Sequence, residues 1–258
     1  MTVRTSAIAA ALTLCTASLH AAEIKNIDRT LPLSANGAVT LDIHNGSVQV
    51  RTWDRAEVEV HVRIEARGTS EAARRRVLAT TVNIDGSPNL VSIASNPFDH
   101  WGLSLWFLSW EDTTPQITYA ISAPRTARWR ISNHNAKVEL RDVNAAVDIS
   151  THNGSVWVAN LNGPITVTMH NGDAHIDFAS FTQASSVSSH NGSAELILPA
   201  ASRFQVQSQG HRMQMDSAFP LAMRASDFGR HNVDGQVNGG GPNLRLTSHN
   251  GSFRLRSK

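Results

Sequence analysis

The sequence contains one cysteine among its 258 residues. Cys15 lies in an apolar run from Ala7 to Ala17 that follows a basic residue, Arg4, and this order is typical of a secretory signal peptide. We therefore predict that residues 1–22 are removed on export. Without Cys15 the mature chain forms no disulfide and carries no thiol for catalysis or metal binding. Its stability must then come from packing and hydrogen bonds.

Long apolar segments and clustered charges are also scarce. After the leader, no apolar stretch approaches the about 20 residues that a membrane-spanning helix needs. The formal net charge is only +2 and the basic residues are scattered, which argues against a nucleic-acid surface. The sequence lacks Gly-x-Ser-x-Gly, His-Glu-x-x-His and a phosphate-binding glycine loop ahead of a helix. We expect neither enzymatic activity nor a cofactor.

What the sequence does contain is an internal repeat centred on His-Asn pairs. Counted from each histidine, apolar residues recur at positions minus five, minus three, plus four and plus six. The copies centre on His44, His134, His152, His170, His190 and His249, and the copy at His190 is the weakest. In a divergent copy, Phe204, Val206, Met213 and Met215 flank Gln209-Gly210-His211. This alignment gives His211 a different repeat position from the other histidines.

Each repeat unit reads as a strand, a tight corner and a second strand. Apolar residues two apart indicate strands, and Asn-Gly between them indicates a turn, because both residues tolerate positive φ. The predicted corner residues are Asn45, Gly46, Asn135, Asn153, Gly154, Asn171, Gly172, Asn191, Gly192, Asn250 and Gly251.

Two all-β architectures fit this pattern, a single-stranded β-solenoid resembling a β-helix and a sandwich of antiparallel hairpins. The near-constant repeat length favours the solenoid, in which equivalent residues stack at roughly 4.8 Å. In that arrangement Val147, Val156 and Ile176 face a shared interior. Backbone pairing leaves open edges at both ends of such a stack, and these edges need caps.

The region before the main array is predicted to be β-rich with one short helix. Residues 57–65 alternate as a strand, and Ser70 or Thr69 offers an N-cap to a helix over 70–79. We predict that this part, residues 23–125, continues into the repeat array of residues 126–258 as one domain.

Several short segments occur in a fixed order along the chain: Trp53-Asp54-Arg55, Ser122-Ala123-Pro124-Arg125, Leu196-Ile197-Leu198-Pro199 and Asn238-Gly239-Gly240-Gly241-Pro242. Together with the repeated Asn-Gly-Ser and Asn-Gly-Asp corners, this order resembles the bacterial putative-adhesin or toastrack family, a domain of unknown function. The resemblance implies a solenoid-like β fold and a scaffold role in adhesion or envelope signalling, with no catalytic residues. The chain departs from the family in placing histidine before most corner asparagines.

A tryptophan-rich segment, residues 98–112, interrupts the β pattern. It contains Trp101, Trp106, Phe107 and Trp110. One interpretation is a cap over an open end of the array. The other is an exposed patch that contacts a partner or a lipid interface, where Trp is favoured because one end of the ring is apolar and the other polar.

The histidine rows suggest a metal site at His134, His152, His170 and His190, but stacked rings that point the same way do not converge on one ion. An outward polar ladder is the preferred interpretation, with acid sensitivity as a further hypothesis. A polysaccharide-cleaving site would need clustered acids, and Asp148, Asp173 and Asp177 have different offsets within the repeat.

These observations predict an exported, periplasmic or cell-surface protein that acts as a non-enzymatic interaction or adhesion scaffold. Its partner would be an envelope protein or surface ligand, with peripheral membrane contact through the tryptophan-rich segment as one option. The alternative is a module that binds a transition metal or an envelope glycan through its His-Asn rows.

Overall fold

A computed structural model of the chain describes residues 22–96, 114–223 and 233–258. Most of the predicted signal peptide and the tryptophan-rich segment with Trp101, Trp106, Phe107 and Trp110 lie outside these residues. The elements are β1 (Ile24–Pro32), β2 (Ala38–Trp53), β3 (Glu57–Glu65), α1 (Glu71–Ala79), β4 (Thr81–Ser87), β5 (Leu90–Asn96), β6 (Gln116–Pro124), β7 (Arg128–Arg141), β8 (Val147–Asn153), β9 (Val156–Leu161), β10 (Ile165–Asn171), β11 (Ala174–Phe178), β12 (Ser185–Leu198), β13 (Phe204–Ser217), β14 (Ala222–Met223), β15 (Val233–Val237) and β16 (Asn243–Ser257).

The repeats form rungs that pair in parallel. Each rung has a first arm, the strand before the His-Asn corner, and a second arm, the strand after it. In the first arms, β8 pairs with β10 and β10 with β12, so that Asn153, Asn171 and Asn191 lie opposite one another. In the second arms, β9 pairs with β11 and β11 with β12. Equivalent repeat positions therefore stack, as the constant spacing predicted, and antiparallel hairpins do not build the array.

The order of rungs in space differs from their order in the chain at both ends. β2 lies between β7 on one side and the pair β5 and β6 on the other. β16 lies between β12 and β13. A simple solenoid wound in chain order, which the repeat spacing alone predicts, is therefore correct only from β7 to β12. The fold is better described as nearly all-β and solenoid-like, with its first and last repeat strands inserted one rung inward.

The core is a sleeve of aliphatic side chains between the arms. Val147, Val156 and Ile176 are at most 2% exposed, in agreement with the repeat pattern. The side of each rung opposite the His-Asn corner adds buried residues such as Val143 and Leu161. Each fully buried side chain of this size contributes about 1.5–3 kcal/mol, and only neighbouring rungs provide that burial.

The corner glycines are fixed by the close approach of neighbouring rungs. A Cβ added to Gly172 would lie 1.8 Å from the carbonyl oxygen of Gly154, and one on Gly192 would lie 1.8 Å from that of Gly172. Gly172 also has a φ of 129°, whereas Gly154 lacks a positive φ yet its added Cβ would lie 2.1 Å from the Ala136 oxygen. Backbone proximity therefore selects glycine even where the turn conformation predicted from Asn-Gly does not.

Antiparallel strands and the helix cover the ends of the array. At one end β3 pairs with β6, β1 with β3, and β4 with β5. At the other end β15 pairs with the first arm of β13, and β14 with β15. The open edges that a parallel stack would expose are thus paired at these positions, which limits edge-to-edge association.

Helix α1 begins where the sequence predicted a cap. The Ser70 side chain accepts a hydrogen bond from the Ala73 N–H at 3.2 Å, and Glu71 lies in the first turn, where the helix dipole favours an anion. Ala73 and Val77 are fully buried against the strands. No helix in the described ranges has the length and apolar character needed to cross a bilayer.

Candidate functional site

Stacked imidazoles form a continuous column on the outside of the array. Neighbouring ring centroids from His44 to His249 are 4.7–4.8 Å apart, with interplanar angles between 5° and 22°. The order in space is His44, His134, His152, His170, His190, His249 and His211. We call these seven residues the histidine column. All except the half-buried His44 are exposed, so the column faces solvent.

His211 belongs to this column, contrary to the sequence alignment that placed it outside the shared slot. Its ring stacks on His249 at 5.4 Å, because Gly210 pairs with Ser248 and Arg212 with Asn250. The correct register puts Val206 and Met215 in apolar slots. Ser208 takes a third inward slot, where its hydroxyl is buried. Because Ser208 occupies a position that is apolar in most other repeats, the apolar pattern in the sequence does not indicate the correct alignment.

A ladder of asparagine side chains runs beside the column and fixes each corner. Each Nδ2 donates to the Oδ1 of the asparagine in the preceding rung at 2.8–3.1 Å, starting from Asn135 to Asn45. The donors in order are Asn135, Asn153, Asn171, Asn191 and Asn250. Because these five bonds repeat between successive rungs from His44 to His249, the adjoining histidine backbones hold one register and their rings stack.

Hydroxyl and amide groups flank the histidine column. Two residues before the histidine, on the same outward face, lie Ser132, Ser150, Thr168, Ser188 and Thr247, with Asp42 at one end of this row and Gln209 at the other. Three residues after the histidine lie Ser47, Lys137, Ser155, Asp173, Ser193, Ser252 and Gln214. The column therefore lies between two largely uncharged hydrogen-bonding rows.

Two of the charged residues in these rows, Lys137 and Asp173, have partners within the protein. Lys137 forms an ion pair with Glu139 at 2.7 Å. Asp173 accepts a hydrogen bond from the Ser193 N–H at 3.0 Å. Two protonated rings 4.8 Å apart would repel by about 0.9 kcal/mol in water and by more at lower dielectric.

The geometry of the column does not suit a metal ion. Zinc requires ring nitrogens about 2.0–2.1 Å from one centre in a tetrahedral arrangement, whereas near-parallel rings 4.7 Å apart direct their nitrogens the same way. In the parts of the chain that the structure describes, no group of three or more His, Cys, Asp or Glu residues could hold a metal. The stacking brings His134, His152, His170 and His190 together, but as a row.

A second row of side chains crosses the outer face of the second arms. The Arg141 guanidinium lies 4.1 Å from the Trp157 ring centroid, and Trp157 stacks on His175 at 6.0 Å. His175 Nδ1 lies 3.1 Å from Glu195 Oε2, and Arg256 contacts Glu195 at 3.5 Å. The sequence gives no clear signal for this row because its members are chemically different, although they share one repeat position or neighbour it.

The aspartates considered for a polysaccharide-cleaving site are separated by the fold. Asp148 lies on a first arm, 3.5 Å from Arg130. Asp173 lies at the start of a second arm, and Asp177, near the other end of that arm, pairs with Lys258. Each therefore has its own local partner, and the structure does not assemble the three carboxylates into one site.

Comparisons with known proteins yield a family and distant structural neighbours. A crystal structure described as a "putative cell adhesion protein" from Clostridium sporogenes has 8% identity and a TM-score of 0.48, with coverage of 91% of this chain and 100% of that one. A "putative adhesin" from Bacteroides fragilis has 8% identity, a TM-score of 0.36, and coverage of 91% and 97%. A "putative lipid binding protein" from Parabacteroides distasonis has 10% identity, a TM-score of 0.27, and coverage of 89% and 96%.

No curated relative matches the chain. The family model described as Toastrack DUF4097 matches residues 125–256, which is slightly more than half of the sequence and holds most of the rungs. This match agrees with the family resemblance carried by the Asn-Gly corners and the flanking segments. The chain belongs to the Toastrack DUF4097 family.

Proposed function

We propose that this protein is a non-enzymatic interaction scaffold of the cell envelope or cell surface. The observation that carries the proposal is the alignment of equivalent polar side chains into long outward rows, above all the histidine column and its asparagine ladder. A surface that repeats the same groups at the rung spacing suits an extended partner, which meets each group in turn.

The predicted signal peptide supports the proposed location. The leader with Arg4 and the apolar run from Ala7 to Ala17 predicts passage across the inner membrane. A chain without disulfides needs another source of rigidity outside the cytoplasm, and the stacked core and the asparagine ladder provide it. Rigidity lowers the entropic cost of binding, because the presented side chains are already in place.

Binding of the purified protein to isolated bacterial envelopes tests this function. We expect saturable sedimentation with envelope fractions and unchanged envelope polysaccharide after prolonged incubation. Replacing Arg141, Trp157 and His175 together with serine, or three column histidines with glutamine, should identify which row makes the contact. Absence of binding by the unaltered protein, or release of sugar fragments, would contradict the proposal.

A ligand-binding module is the second candidate function. The register of seven imidazoles beside an amide ladder favours an envelope glycan as the ligand, since both groups form hydrogen bonds with sugar hydroxyls. A transition metal is the less favoured ligand because the stacked rings do not converge. Calorimetric titration with Zn²⁺, Cu²⁺ and cell-wall fragments separates these ligands.

A further inference from the structure

We propose that the histidine column is a proton-linked binding strip for linear polysaccharides that carry carboxylates. This inference rests on the proposed scaffold function and names a ligand class for one of its rows. Imidazole is the side chain whose charge changes between about pH 5 and pH 8. The column therefore offers a surface whose charge is set by the pH of its surroundings.

The close spacing of the imidazole rings couples protonation of the column to the binding of a polymer with many carboxylates. Ring centroids recur every 4.7–4.8 Å over six histidines, with a seventh at 5.4 Å. Adjacent protonated rings repel, so an isolated column resists full protonation. A chain of carboxylates laid along the strip reduces that repulsion, and ligand binding and proton uptake therefore favour each other.

Few fixed charges adjoin the column. The groups that face it, including one residue of the segment after β3, are Asp42, Arg67, Lys137, Asp173 and Arg212. The next outward positions add Arg130, Glu139, Asp148, His175, Glu195, Asp216, Arg245 and Arg254. Only Asp42 and Asp173 bring negative charge into the immediately adjoining rows, against Lys137 and Arg212. With its imidazoles protonated the strip is therefore net positive, and with them neutral it is close to uncharged.

The rows beside the column favour a sugar polymer over a phosphate polymer. Hydroxyls at Ser150, Thr168 and Ser188 lie along one side, and the asparagine ladder lies along the other. Such groups suit sugar hydroxyls, whereas phosphate chains are usually met by arginine and lysine, which are not the repeated residues here. A carboxylate on each sugar would meet imidazolium, and the neutral hydroxyls would meet the flanking rows.

Titration of the full protein with polygalacturonate at about pH 5 and about pH 7.5 tests the proposal. We expect at least tenfold tighter binding at the lower pH, with proton uptake seen as a dependence of the binding heat on the ionisation enthalpy of the buffer. Fully methyl-esterified polygalacturonate, which keeps the sugars and removes the charge, should bind at least tenfold more weakly at pH 5.

The triple variant His134→Gln, His152→Gln and His170→Gln should lose at least tenfold in affinity for polygalacturonate at pH 5. The control variant His61→Gln removes a histidine outside both outward rows and should bind as the original chain does. Thermal unfolding of both variants verifies that the fold is retained. If the triple variant fails to fold, the proton-uptake measurement on the unaltered protein still decides.

Several results would overturn the inference. These are equal affinity at both pH values, binding without proton uptake, unchanged binding by a folded triple variant, and tighter binding of inorganic polyphosphate than of polygalacturonate. Binding to envelope fractions without binding to polygalacturonate would contradict the polysaccharide proposal but would still support the scaffold function. If the protein bound neither envelope fractions nor polygalacturonate, both proposals would be contradicted.

Discussion

The middle of the array and its two ends are built by different rules. From β7 to β12 the rungs follow one another in the chain, and each pairs with the next through the same slots. At the ends, β2 and β16 are each inserted between strands that are distant from them in sequence, and antiparallel strands close the edges. The middle is thus specified by local repetition, whereas the ends require long-range contacts that hold the chain's first and last repeat strands on both sides.

The largest loss of folding stability is expected from a charge introduced into the core of the middle rungs. Val156→Asp buries a carboxylate at a position that is 2% exposed, without a partner, and should leave no folded protein at neutral pH, a loss of about 5 kcal/mol or more. Ile84→Asp, on the half-buried end strand β4, should cost less. Circular dichroism during thermal unfolding measures both.

The neighbouring Ser155→Asp serves as the control, because residue 155 is not buried. It should unfold within about 0.5 kcal/mol of the original chain. A folded Val156→Asp protein with the original unfolding midpoint would show that the sleeve between the arms is not the common core.

Glycine replacement compares a corner in the middle with a turn near one end. Gly172→Ala would place Cβ 1.8 Å from the Gly154 oxygen and should cost about 2–4 kcal/mol of unfolding free energy. Gly68 has a φ of 101° but no atom within 4 Å of an added Cβ, so Gly68→Ala should cost only about 1 kcal/mol. Equal losses in urea unfolding would mean that turn conformation, and not rung contact, selects the corner glycine.

The single tyrosine reports on the end rung at high pH. Burial raises the pKa of Tyr119 from 10.0 to about 12. An unfolded tyrosine ionises at lower pH than the folded one, so its contribution to stability is complete below pH 10 and is lost as pH rises towards 12. The two-unit difference corresponds to about 3 kcal/mol of unfolding free energy. The Tyr119→Phe variant has no phenol to ionise, so its stability should not fall by this amount between pH 10 and pH 12. Tyrosinate absorbance near pH 10 in the folded protein would contradict this.

Replacement of one ladder asparagine should cause the smallest loss of unfolding free energy, and the size of the loss should depend on the position in the ladder. Asn153 donates to Asn135 and accepts from Asn171, so Asn153→Ala removes two hydrogen bonds and should cost about 1–2 kcal/mol. Asn45 only accepts, from Asn135, and Asn45→Ala should cost about half as much. Urea unfolding with a larger loss for Asn45 would argue against a continuous ladder.

The sequence predicts the middle of the array far better than its ends. Residues such as Val147 and Ile176 repeat at fixed offsets from a histidine, and that offset is enough to place them in the core and the imidazoles in a column. The insertion of β16 between β12 and β13 leaves no such signal, because pairing partners 59 residues apart, such as Ser193 and Ser252, follow from long-range packing. His211 was misplaced since Ser208 breaks the apolar pattern that sets the register.

Disulfide trapping tests the central claim, that parallel rungs stack in register with β16 inserted, most directly. In a chain with Cys15 replaced by serine, Ser193→Cys and Ser252→Cys should cross-link readily on mild oxidation, because the two hydroxyls are 3.0 Å apart in neighbouring rungs. Ser193→Cys with Gln214→Cys should not, because β16 separates these residues by two rung spacings, about 10 Å. Cross-linking of the second pair and not the first would show that the rungs follow chain order and would contradict the account.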